Sequence, residues 1–145
     1  MAEETKWIDF QPHKEDLSKV LGDLEAVVMR SLWETRSGNV REIHELVNRE
    51  RKAAVTTIAT ILDRLHSKGL VERALVKTGN IHYKYSPSMT RKQFEGTVVR
   101  NVFKGLFETF GDSAISYLVQ SAGIEDDATI EEIVRNLNRL KEESE

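Results

Sequence analysis

The chain has 145 residues, 39% of them hydrophobic and 31% charged, and it contains no cysteine. That composition supplies a packed core and excludes disulfides, cysteine-held zinc or copper, and thiol redox sensing. No apolar run approaches the roughly 18 residues that a bilayer span needs. The acidic start Met1-Ala2-Glu3-Glu4 leads into no apolar segment, so no signal peptide and a cytoplasmic location are expected.

The net charge of −3 is unevenly spread. Residues 1–34 hold 4 Lys/Arg against 8 Asp/Glu, residues 35–92 hold 12 against 5, and residues 93–145 hold 5 against 11. A basic middle suits contact with phosphates, and acidic flanks keep the chain soluble.

Residues 1–16 read as an extended arm, docked through Trp7 and broken at Pro12. Apolar residues from Leu17 to Trp33 recur at helical spacing, which predicts a helix over about 23–35 with Asp23 as its N-cap and Ser37-Gly38 at its end. Asn39 caps a second helix to about Asn48, with Val40, Ile43, Leu46 and Val47 on one side. After the basic loop Arg49-Glu50-Arg51-Lys52, a third helix is expected from about Val55 to Lys68, with Gly69 as its C′ residue. Ile58, Ile61, Leu62 and Leu65 form its apolar stripe, and Thr56, Thr60, Asp63 and Ser67 point the other way.

The period then changes from 3.6 to two. Val71 to Val76 and Ile81 to Tyr85 alternate around Lys77-Thr78-Gly79-Asn80, which predicts a β-hairpin closed by Pro87. Three short helices followed by a hairpin is the layout of a winged helix-turn-helix, in which the third helix enters the major groove. Thr90 and Gln93 open a further helix expected to end at Phe110-Gly111, followed by a shorter one at 113–121. Phe94, Val98, Val99, Val102, Phe103, Leu106, Phe107 and Phe110 cover roughly 220° of its circumference, more than one packing face uses. A second copy of the chain is the simplest cover. A last helix from Thr129 carries Ile130, Ile133, Val134, Leu137 and Leu140 as a narrow seam.

The expected fold is therefore mostly α with a small β-hairpin wing. Its divisions are an arm (1–16), a winged-helix domain (17–88) and a helical dimerisation domain (89–145). The candidate base-reading residues are Thr56, Thr57, Ala59 and Thr60, since Thr hydroxyls bond base edges and Thr methyls touch thymine methyls. Arg51, Lys52, Arg64, Lys68, Lys77, His82 and Lys84 surround them as candidate phosphate ligands. The dimer interface is expected from Val98, Val99, Val102, Phe103, Leu106, Phe107, Phe110 and the seam of the last helix. His13, His44, His66 and His82 are scattered and read as surface residues, with no metal and no cofactor expected. Glu125-Asp126-Asp127 lacks calcium-loop spacing and reads as solubilising or helix-capping. No catalytic constellation is recognisable, so an enzyme is not expected. The alternative is a winged helix that binds another protein, which calls for an apolar reading face in place of the threonines.

The residues resemble the penicillinase-repressor family, also called the BlaI/MecI/CopY type. The resemblance is carried by Leu21-Gly22-Asp23-Leu24-Glu25, Val28-Met29, Leu32-Trp33, Val40-Arg41-Glu42-Ile43, Thr56-Thr57-Ile58 with Thr60, Leu62-Asp63-Arg64-Leu65, Lys68-Gly69-Leu70-Val71, Tyr83-Lys84-Tyr85 and Pro87. It covers about 17–142 and is strongest over 21–87. It implies a homodimeric repressor of a palindromic, AT-rich operator, with base reading at Thr56, Thr57, Ala59 and Thr60. Ala59 departs from members with a long basic side chain there. The copper-responsive members sense through C-terminal cysteines that this chain lacks. The cleavable Asn-Phe bond of the β-lactam branch falls near Leu118-Val119. The arm before Leu21 is longer than the family pattern.

Overall fold

The computed structural model describes residues 7–143, so the first six residues of the arm lie outside the described residues. The helices are α1 (Asp23–Thr35), α2 (Val40–Asn48), α3 (Val55–Ser67), α4 (Arg91–Ser121) and α5 (Asp127–Glu143), and the strands are β1 (Val71–Val76) and β2 (His82–Pro87). The chain divides into two compact units between Gly96 and Thr97. The first turns of α4 belong to the first unit because Phe94 is buried there, its ring 5.5 Å from that of Trp33 and 6.0 Å from that of Trp7.

In the first unit, the capping residues set where the helices start and stop. α1 begins at Asp23 itself, and the backbone N–H of the preceding Gly22 donates to Glu25 Oε1 at 3.1 Å. It ends on Arg36, held at φ 71°. Asn39 caps α2 in a reciprocal box: its Oδ1 accepts from the Glu42 N–H at 2.9 Å, and Glu42 Oε1 accepts from the Asn39 N–H at 3.0 Å. α3 ends in a Schellman motif, with Leu70 N–H donating to Leu65 O and Gly69 N–H to His66 O. Gly69 stands at φ 78°, a conformation that an L side chain resists.

The core is the meeting of three helices and the base of the hairpin. Val28, Met29 and Leu32 of α1, Ile43 and Val47 of α2, and Ile58, Leu62 and Leu65 of α3 are all buried, with Leu70, Val71 and Tyr85 behind them. Truncating any one of these large aliphatic residues to alanine costs about 2–5 kcal/mol. β1 and β2 pair antiparallel, with Arg73 opposite Tyr85 and Leu75 opposite Tyr83. Gly38, between α1 and α2, adds a bridge to Tyr85 through two backbone hydrogen bonds of 2.9 and 2.8 Å. A Cβ on Gly38 would stand 3.0 Å from Ile43 Cδ1, so any larger residue here would have to displace the end of that side chain by a few tenths of an ångström. Three helices and a hairpin in this order make a winged helix-turn-helix.

The second unit contains the rest of α4, and α5. The sequence predicts two helices broken at Phe110-Gly111, and the break is there: α4 is two helices joined across a kink at Phe110, which leaves helical geometry at φ −124° and ψ 31°. Asp126 caps α5, accepting from the Ala128 and Thr129 N–H groups and, at 2.6 Å, from the Thr129 hydroxyl. The Thr129 hydroxyl, with help from these N–H groups, holds the Asp126 carboxyl below the ordinary value of 3.8. α5 thus starts two residues before the expected Thr129, and the acidic run serves as its cap.

Candidate nucleic-acid interface

The two faces of α3 separate cleanly. Ile58, Ile61, Leu62 and Leu65 are buried, while Thr56, Thr57, Thr60, Asp63 and Ser67 are exposed and Ala59 is half-buried. The Thr60 hydroxyl donates to the Thr56 carbonyl at 3.0 Å, which leaves its lone pairs and methyl outward. Thr57 has no such bond, so its hydroxyl is free to donate or accept. A short helix with an outward row of threonines can meet the edges and methyl groups of bases in a groove.

The turn that presents α3 is braced by residues the sequence reading did not select. Asn48 Nδ2 donates to the carbonyls of His44 and Ala53, and Asn48 Oδ1 accepts from the Ala53 N–H at 3.1 Å. A ring nitrogen of His44 lies 2.8 Å from the same Ala53 carbonyl. His44, expected at the surface, is half-buried and structural. An asparagine at the end of an amphipathic helix carries no pattern that would have marked it.

The basic residues fall into two groups. Arg51, Lys52, Arg64, Lys77 and Lys84 are exposed. Lys68 and His82 are engaged within the chain. Lys68 Nζ pairs with Glu25 Oε2 at 2.6 Å and stands 5.7 Å from the Trp7 ring centroid, and His82 Nδ1 lies 2.7 Å from the Asn80 carbonyl. Lys68 sits at the C-terminal end of α3, where a cation is favoured by the helix dipole and a neighbouring carboxylate can take it up.

The hairpin is strapped to α3. Arg73 Nη1 of β1 bonds Asp63 Oδ1 of α3 at 3.0 Å, and its guanidinium carbon lies 4.4 Å from the Tyr83 ring centroid. Burial pushes the Tyr85 hydroxyl up from its ordinary value of 10.0, with a hydrogen bond from Arg73 opposing the shift. Leu75, Ile81 and Tyr83 are exposed on the hairpin.

In the second unit, Val99, Phe103, Leu106 and Phe110 are exposed and recur at steps of four, three and four along α4, with Tyr117 beyond them at 70% exposure. Tyr117 was absent from the expected interface set. Val98 and Phe107, which were in it, are buried in the single chain. Val102, Ile130, Ile133, Val134 and Leu137 are half-buried, and the side chain of Leu140 lies outside the described residues.

A family model described as "Penicillinase repressor" matches residues 21–139. The chain belongs to the penicillinase-repressor family. The members of this family are transcriptional regulators and not enzymes. The match takes in α1 to α4 and most of α5, and leaves out the arm that bears Trp7. Among curated proteins, the chain is similar to "Transcriptional regulator BlaI" of Mycobacterium tuberculosis, in strains CDC 1551 / Oshkosh and ATCC 25618 / H37Rv, at 48% identity over 52 residues. That similarity spans 35% of this chain and 38% of the regulator's own length. Among solved structures, Stf76 from the Sulfolobus islandicus plasmid-virus pSSVx aligns at 18% identity and a TM-score of 0.40, covering 50% of this chain and 91% of that one. NadR in complex with 4-hydroxyphenylacetate aligns at 17% identity and a TM-score of 0.42, covering 71% and 72%. No helix among the described residues is long and apolar enough to cross a membrane.

Proposed function

We propose that the chain is a repressor that binds a palindromic DNA operator as a homodimer. The observation that carries this reading is the exposed threonine row of α3, set between free basic residues before it and a basic hairpin after it. Thr56, Thr57, Ala59 and Thr60 read base edges. Arg51, Lys52, Arg64, Lys77 and Lys84 bind phosphates and supply affinity without sequence information. Lys68 is left out of this set because Glu25 already holds it, and His82 contributes at most a weak contact.

Dimerisation rests on the exposed stripe Val99, Phe103, Leu106 and Phe110, continued by Tyr117. A contiguous apolar face of this size on a soluble helix calls for cover, and a second copy of the same face provides it in an isologous contact. Two winged helices related by a two-fold axis then face two half-sites, which explains a palindrome. Phe103→Glu with Phe110→Glu should leave a folded monomer whose operator affinity falls at least tenfold. Sedimentation of the parent as a monomer at micromolar concentration would remove the dimer from this reading.

The apolar hairpin residues Leu75, Ile81 and Tyr83 favour one competing reading, a winged helix that docks on a protein. Under that reading, Leu75→Ser with Ile81→Ser abolishes partner capture and leaves DNA affinity alone. Under the repressor reading, Thr57→Ala has the larger effect, and on DNA.

A further inference from the structure

An open cleft of about 450 Å³ lies within the first unit, on a side that the reading residues of α3 do not line. Its walls are Arg30, Ser31, Trp33 and Glu34 of α1, Leu46 of α2 with the following Arg49 and Glu50, and Arg91 of α4. This volume lies within the range of small-molecule sites. Three guanidinium groups and one indole in a single cleft are more than packing requires.

The charges in the cleft are unequally used. Arg30 Nη2 pairs with Glu50 at 2.9 Å, and Arg91 is shared between Asp16 and Glu95. Among the described residues Arg49 has no carboxylate partner, and it is exposed. Arg30 Nε is buried and has no acceptor. A buried N–H without an acceptor is costly to leave unmade, and a small turn of the guanidinium toward an incoming acceptor removes that cost. The Arg91 guanidinium carbon lies 5.9 Å from the Trp33 ring centroid, and Trp33 is itself fixed by an Nε1–H bond of 2.9 Å to the Met89 carbonyl.

We propose that this cleft binds a small organic monocarboxylate with a flat apolar body. Arg49 takes the carboxylate in the fork geometry that guanidinium groups favour, Arg30 supplies the second donor, and the apolar body lies against Trp33 and Leu46. Arg30 and Arg91 are already paired with carboxylates, and Arg49 alone of the three lining guanidinium groups has no such partner among the described residues, which suits a single negative charge and disfavours phosphate dianions and polyanions. The site is independent of DNA binding and is tested without DNA.

The probe is benzoate, titrated into the full-length protein at constant ionic strength and followed by the indole N–H resonances of Trp33 and Trp7. A saturable shift confined to Trp33, at least tenfold weaker in Arg49→Ala and unchanged in Lys77→Ala, is the expected result. Arg49 is exposed and unpaired, so its removal leaves the fold intact, and the Trp7 resonance checks this in the same spectrum. No saturable shift up to 100-fold the protein concentration would overturn the proposal, as would equal binding by Arg49→Ala or tighter binding of inorganic phosphate than of benzoate. Loss of duplex affinity in Arg49→Ala without any benzoate binding would assign the cleft to the DNA backbone instead.

Discussion

Arg73 on the hairpin and Asp63 on α3 form an ion pair of 3.0 Å that ties the hairpin to the helix. The pair does two things under the proposed reading. It fixes the hairpin relative to α3, and it neutralises a carboxylate that shares its face with Thr56 and Thr60. Exposed pairs of this kind contribute only about 0–1 kcal/mol to folding, so the larger consequence falls on binding. Arg73→Ala should weaken duplex binding by about tenfold while shifting the melting temperature little. Asp63→Asn in that background should restore most of the affinity if charge masking dominates. A double variant as weak as the single one would show that Arg73 acts by holding the hairpin.

The threonines are expected to act on specificity. Thr57→Ala and Thr60→Ala should each cost about 1–3 kcal/mol of specific binding and leave non-specific binding nearly unchanged. Lys77→Ala and Lys84→Ala should weaken both alike, each reducing the salt slope by about one. Competition assays against operator and scrambled duplex at several salt concentrations separate the two classes.

Lys68 divides the basic residues in a way that can be measured. Its ammonium is paired with Glu25, whose side chain is only 12% exposed. Lys68→Ala should therefore lower stability by about 1 kcal/mol, on the scale of one charge-assisted hydrogen bond, and leave the salt dependence of DNA binding as it was. Denaturant melts and a salt titration of the same variant check both halves.

These residues show how far the sequence could be read. The stripe Ile58, Ile61, Leu62 and Leu65 and the opposite threonine row follow from a 3.6-residue period alone, and Gly69 and Asn39 announce helix ends by residue type. The hairpin was legible because the period changes to two. The partners of Lys68 and Arg73 were not legible, because an ion pair 43 residues apart, as between Lys68 and Glu25, leaves no trace in local pattern. The Gly38–Tyr85 bridge was hidden for the same reason. The interruption at Phe110 was legible too, because the apolar run ends there on a glycine.

Arg36 closes α1 at φ 71°, in the left-handed region that costs a residue with a Cβ about 1–2 kcal/mol. Arg36→Gly should raise stability by about 0.5–1 kcal/mol, the remainder being offset by the extra freedom of glycine in the unfolded chain. Urea unfolding with an unchanged m-value is the check. A loss of stability would mean that the Arg36 side chain contributes more than its backbone strain removes.

The most direct test of the repressor reading is selection of bound duplexes from a random pool at moderate salt, followed by sequencing. A dimeric winged helix that reads bases through Thr56, Thr57 and Thr60 enriches a palindrome with half-sites about one helical turn apart. Uniform weak retention of all sequences would contradict it and leave DNA contact as non-specific phosphate binding.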